Sequence, residues 1–67
     1  MTSKKLSPRT AERLIRAAYD YEELANRLKH DGHNYFADSV RAISSQLGVA
    51  GRTMLDAIEA QKGRKML

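Results

Sequence analysis

The residues of this chain that could do chemistry are two histidines, two adjacent serines and a crowd of arginines. His30 and His33 stand in a His-x-x-His spacing around Asp31 and Gly32, which could present two imidazoles to a metal. A metal site needs one or two further ligands in fixed geometry, and the neighbouring sequence supplies none, so the pair reads as solvated turn histidines. Ser44 and Ser45 have no activating base in their sequence context, and no glycine-rich phosphate loop exists. No catalytic activity, cofactor, metal or small-molecule substrate is therefore expected. Recognition chemistry remains. Arg9, Arg13 and Arg16 recur at helical spacing, with Ile15 beside them and Tyr19 close by. Arginine and exposed tyrosine dominate protein interfaces, and both also suit a nucleic-acid backbone. These five residues form the candidate partner-binding set.

The charge pattern points the same way. The 67 residues carry a net charge of +4, placed unevenly. Lys4, Lys5, Arg9, Arg13 and Arg16 crowd the first quarter, and Lys62, Arg64 and Lys65 crowd the tail. Asp20, Glu22, Glu23, Asp31 and Asp38 lie towards the middle. Folding the chain at its middle brings both basic segments to one end and the acids towards the other, so the basic end suits an acidic partner.

The elements that position these residues are legible from spacing. Leu14, Ala18, Tyr21, Ala25 and Leu28 recur at alternating intervals of four and three, as do Phe36, Val40, Ile43, Leu47, Ala50 and Met54. Each set falls on one stripe of an α-helix. Between them, His30-Asp31-Gly32-His33-Asn34 is a polar break with glycine where a helix C-cap wants one. Ser7-Pro8 reads as N-cap and first helical residue, and Asn34 as the N-cap of the second helix. The prediction is a single all-α domain over residues 1–67: an antiparallel helical hairpin with helices at about 8–29 and 34–61, and with 1–6 and 63–67 as flexible basic ends. Its rows would pair Leu28 with Phe36, Ala25 with Val40, Tyr21 with Ile43, Ala18 with Leu47, Leu14 with Ala50 and Ala11 with Met54, with Tyr21 in the core.

A lone hairpin has one contact layer, set against a conformational entropy cost of about 1–2 kcal/mol per residue. The chain has no cysteine to staple it. Oligomerisation is the usual remedy, so a homodimer forming a helical bundle is expected. No apolar run approaches the roughly 20 residues of a membrane span, and no signal-peptide core follows the basic N-terminus, so the chain reads as cytoplasmic.

Gly48 and Gly51 divide the reading of the second helix, since each costs about 1 kcal/mol relative to alanine inside a helix. If the helix breaks there, Ile43–Met54 resembles the bihelical unit of small bacterial and phage DNA-binding regulators. Ser44 lies four residues before Gly48, Leu47 and Val49 flank it, and Met54 lies six beyond. That resemblance implies a helix-turn-helix with a recognition helix from about Ala50 to Gln61, and DNA contacts from Arg52, Thr53, Gln61 and Lys62. Asp56 and Glu59 would then face phosphates. If the helix is continuous, Tyr35, Ala42 and Val49 make a second stripe at intervals of seven, a candidate dimer seam. Ala37, Ser44, Gly48 and Gly51 make a line of small residues that lets another helix approach closely. The continuous hairpin uses more of the apolar residues. In length, pattern and charge it resembles the small phage- or plasmid-type helical regulators that bind and inhibit a host transcription factor, and also the plasmid copy-control hairpin dimers that clamp RNA loops. The first resemblance implies a non-enzymatic regulator of a host regulatory protein; DNA or RNA binding is the alternative.

Overall fold

The computed structural model describes residues 6–64, with side chains through Gln61. They form an all-α antiparallel hairpin of two helices, α1 (Pro8–His30) and α2 (Asn34–Arg64). Gly63 and Arg64 complete the last turn of α2, so the helix takes in part of the end that the sequence assigns to a flexible tail; residues 1–5 and 65–67 lie outside the described residues.

Both ends of α1 are closed by local chemistry. The Ser7 hydroxyl accepts from the Arg9 N–H, its backbone is extended (φ −106°, ψ 129°), and Pro8 occupies the first helical position. At the other end the His33 N–H donates to the Leu28 carbonyl (2.9 Å) and the Gly32 N–H to the Lys29 carbonyl (3.1 Å). This crossed pair is a Schellman motif, and it requires a left-handed residue at Gly32, whose φ is +89°. Arg27, Lys29 and His30 in the last turn complement the negative end of the helix dipole. Asp31–His33 is the whole connection. The carbonyl of His33 accepts from the Ala37 N–H (2.9 Å), so His33 rather than Asn34 caps α2; Asn34 is its first helical residue.

α2 is continuous through Gly48-Val49-Ala50-Gly51. No turn separates two short helices there, so the helix-turn-helix geometry expected of Ile43–Met54 does not form. The glycines have another use. A Cβ on Gly51 would lie 2.7 Å from Ile15 Cγ1 and 3.0 Å from the Ala11 carbonyl oxygen, and one on Gly48 would lie 3.7 Å from Ala18 Cβ. At Gly51 the backbones of the two helices are in near contact.

The hairpin core is accordingly built of small residues. Ala11, Ala18 and Ala25 on α1 are buried against Ala37, Ser44 and Gly51 on α2, and both rows repeat every seven residues. Among the described residues, no large side chain is fully buried. The Ser44 hydroxyl donates to the Ala18 carbonyl across the seam at 2.6 Å, which satisfies the one buried polar side chain among the described residues. On one edge of the seam Arg41 Nη2 donates to Asn26 Oδ1 at 2.8 Å.

Two expectations are corrected here. The level at which residues of the two helices meet agrees with the predicted pairing to within a turn, since Ala18 faces Ser44 and Gly48 and Ile15 faces Gly51. The rotation of the helices differs. The row of α2 facing α1 is Ala37–Ser44–Gly51, one residue on from Phe36–Ile43–Ala50, which turns α2 by about 100° about its axis. Tyr21, expected in the core, is 39% exposed, and Phe36 is 59% exposed. The small-residue line assigned to another helix is the seam of the hairpin itself. Close approach explains the choice: helices in near contact accept alanine, serine and glycine between them and push large side chains to the flanks.

Candidate docking face

The seam divides the hairpin surface into two long faces. α1 residues four beyond each seam alanine, and α2 residues four beyond each seam position, fall on one side: Ile15, Glu22 and Lys29 with Arg41, Gly48 and Leu55. Residues three beyond fall on the other side: Leu14, Tyr21 and Leu28 with Val40, Leu47 and Met54. In an antiparallel pair the matching flanks meet, so the first side is mixed and basic and the second is apolar.

On the mixed side, an open groove of about 460 Å³ runs between the helices, with Ile15, Tyr19, Gly48, Arg52 and Leu55 among its walls. Its floor is shallow because Ala18, Ser44 and Gly48 are small. Glu12, Ile15, Arg16 and Tyr19 line a second concavity alongside it. Arg9 and Arg13 join Arg16 and Glu12 on the outer surface of α1. All five residues of the predicted partner-binding set therefore adjoin one another over nearly three helical turns. Ile15 is half-buried under the rim, Tyr19 is 67% exposed, and the three arginines are exposed. The structure adds Arg52 and Leu55 from α2. Their membership follows only from the rotation of α2, because both lie far from α1 residues in sequence; the signal was the small-residue row, which fixes which flank of α2 meets Ile15.

The residues read as DNA contacts do not converge. Arg52 lines the groove, whereas Thr53 is exposed about 100° further round α2. Gln61 is exposed about 13 Å along the helix on the flank that carries Leu47 and Met54. The side chain of Lys62 lies outside the described residues. The predicted dimer seam, Tyr35, Ala42 and Val49, runs along α2 on the side away from the core. Tyr35 (78%) and Val49 (62%) are exposed there, separate from the apolar flank.

The turn histidines are also placed. Both are exposed, and the His33 ring packs on Phe36 (centroids 6.5 Å apart), which stacks edge-on with Tyr35 at 5.5 Å. Among the described residues, no group of three or more histidine, cysteine or acidic side chains converges to hold a metal ion. None of the described helices is long and apolar enough to cross a membrane.

Chemically the groove combines an apolar strip with cationic groups. Ile15, Tyr19 and Leu55 supply an accessible apolar strip, and Arg16 and Arg52 border it with guanidinium groups able to make bidentate pairs with carboxylates. Four arginines, with Glu12 beside them, mark the end of the face distant from the turn, and Glu22 lines the groove on the side towards the turn. No protein-family model matches the chain, and comparison with curated proteins and with solved structures returns no match.

Proposed function

We propose that this chain is a non-enzymatic regulatory protein that docks on an acidic, partly apolar segment of another regulatory protein, such as a transcription factor, and inhibits it. The supporting observation is the convergence of Ile15, Tyr19 and Leu55 with Arg16 and Arg52 on one accessible groove. An exposed tyrosine beside arginines that border an apolar strip is the composition of an interface hot spot. The partner's carboxylates would pair with Arg16 and Arg52, with Arg9 and Arg13 accelerating encounter by their field.

The test is capture from nuclease-treated extract of the native host by immobilised wild type, Arg16→Glu and Tyr19→Ala. All of these positions are exposed or at the rim, so the variants should retain the helical content of the wild type by circular dichroism. The reading expects one protein to be held by the wild type and lost by both variants. Equal capture by all three, or binding that disappears with the nucleic acid, overturns it.

A further inference from the structure

The face opposite the groove is the largest unexplained feature of the hairpin. Tyr21, Leu24, Phe36 and Ile43 leave 39–59% of their surface exposed on it. The half-buried Leu14, Leu28, Val40, Leu47 and Met54 lie between them and the seam. At 150–250 Å² of surface per large side chain, this face presents on the order of 700 Å² of apolar area. The largest patch on an ordinary monomer is about 300–600 Å², and each partner in a standard interface contributes about 800 Å². The face is thus of interface size, and it runs the length of a protomer in which no large side chain among the described residues is fully buried.

Size and charge both indicate the occupant. The outermost row of this face changes in bulk along its length. Near the turn it carries Leu24, Phe36 and Ile43; near the open end the equivalent heptad positions are Thr10, Ala17, Ala50 and Ala57. A surface that is bulky at one end and small at the other complements a copy of itself laid head to tail. Charge follows the same gradient. Residues 20–44, around the turn, carry five acidic and three basic side chains, a net −2. Residues 8–19 and 45–61, at the open end, carry four basic and three acidic, a net +1. A copy with its turn on the same side would set like charge against like charge and bulk against bulk.

We propose that this apolar face docks a second copy of the chain, face to face and head to tail, so that the turn of each protomer covers the partner's open end in a four-helix bundle. The interface would then be the Tyr21–Leu24–Phe36–Ile43 face, not the Tyr35–Ala42–Val49 line. It lies across the seam from the groove and is independent of what the groove binds. The twofold axis brings each face onto itself, as an isologous contact requires.

Sedimentation equilibrium of the full chain at micromolar concentration, with the pair Ile43→Glu and Val49→Glu, tests the face. The wild type should be a dimer. Ile43→Glu, which buries two uncompensated carboxylates in the proposed interface, should raise the dissociation constant by about a hundredfold or more. Val49→Glu should leave it unchanged. A monomeric wild type, an assembly larger than a dimer, or dissociation by Val49→Glu overturns the proposal. Orientation has its own readout, which does not depend on the folding of Ile43→Glu. The chain has no cysteine, so His30→Cys carries a single spin label at the turn, off the apolar face. Head-to-tail packing separates the two labels by about 35 Å, the length of 23 helical residues. A separation below about 20 Å, as turns on the same side would give, overturns the arrangement.

Discussion

Gly48→Ala and Gly51→Ala are the same chemical change, three residues apart in one helix, and the structure assigns them opposite signs. Each replaces glycine by the best helix former and gains about 1 kcal/mol of backbone propensity. At Gly48 the new methyl would sit 3.7 Å from Ala18 Cβ, an ordinary van der Waals contact. That variant should therefore be stabilised by about 1 kcal/mol, a rise of about 4–8 °C in Tm for a domain of this size. At Gly51 the methyl would meet Ile15 Cγ1 at 2.7 Å and the Ala11 carbonyl oxygen at 3.0 Å. The isoleucine branch is not a free end, and the carbonyl belongs to the backbone of α1, so the helices must part. Overpacking of this kind costs about 1–3 kcal/mol. Because separation also opens the Ser44–Ala18 hydrogen bond, the cost should lie in the upper half of that range. Net of propensity, Gly51→Ala should lose about 1–2 kcal/mol.

The assay is thermal and urea unfolding by far-UV circular dichroism at one fixed protein concentration, since self-association would otherwise shift both midpoints. The two variants should differ by about 2–3 kcal/mol, on opposite sides of the wild type. Combining Gly51→Ala with Ile15→Ala should recover about 1 kcal/mol as a coupling energy, because the closest clash is removed while Ala11 remains. If Gly51→Ala raises Tm as much as Gly48→Ala does, the helices are not in near contact at this level and the small-residue seam is refuted.

Substitutions at three further positions probe the same fold. Gly32→Ala places a Cβ at φ +89° and should destabilise by about 1–2 kcal/mol, with Gly32→Asn costing less, both read by urea midpoint. Ser44→Ala removes the 2.6 Å bond to Ala18 while leaving that carbonyl its helical partner, so it should cost only about 0.5–1.5 kcal/mol; Ser44→Leu should cost more by forcing the seam open. Ser7→Ala deletes the cap on α1 and should lower stability by about 1 kcal/mol, with the loss of amide protection confined to the first turn of α1 in hydrogen exchange.

Much of this architecture could be read from spacing, and the part that could not has a definite cause. The turn was legible because a polar break with glycine at its centre permits one crossed hydrogen-bond pattern, and Gly32 adopts the φ that pattern needs. The axial register was legible because both helices start from the same short turn and rise equally per residue. Rotation was not. An apolar stripe reports the average direction of apolar area, and large side chains dominate that average. In this hairpin the rows Ala11–Ala18–Ala25 and Ala37–Ser44–Gly51 contribute little area yet form the contact, whereas Tyr21, Phe36 and Ile43 contribute much and remain at the surface. Two small rows with the same interval of seven, in register across a turn, were the available signal. The same rotation explains the site. Arg9, Arg13, Arg16, Ile15 and Tyr19 were recognisable on one helix, but Arg52 and Leu55 join them only once the seam on α2 is known.

That seam also governs how the two long faces relate. Helices held together by alanine, serine and glycine bury little apolar area between them, since each CH₂ group is worth only about 0.8 kcal/mol and the seam has few. The large side chains are left free to face outwards, where each can bind something else. On one flank they form a face of interface size, graded in bulk and charge to suit an inverted copy of itself. On the other flank the seam residues are the floor of the groove, and only Ile15, Tyr19 and Leu55 rise above it between arginines. Covering the first flank would remove the dominant hydrophobic liability while leaving the second in solvent. A head-to-tail dimer would then display two identical grooves on its opposite outer surfaces, each at the middle of its hairpin. A partner with two acidic segments separated by about 20 Å, the thickness of two helix layers, would engage both at once and gain avidity without any additional contact. Linking two copies of a captured acidic segment at increasing spacer lengths tests this directly: affinity should rise sharply once the spacer can reach between the grooves, and a flat response would show that the two grooves do not act together.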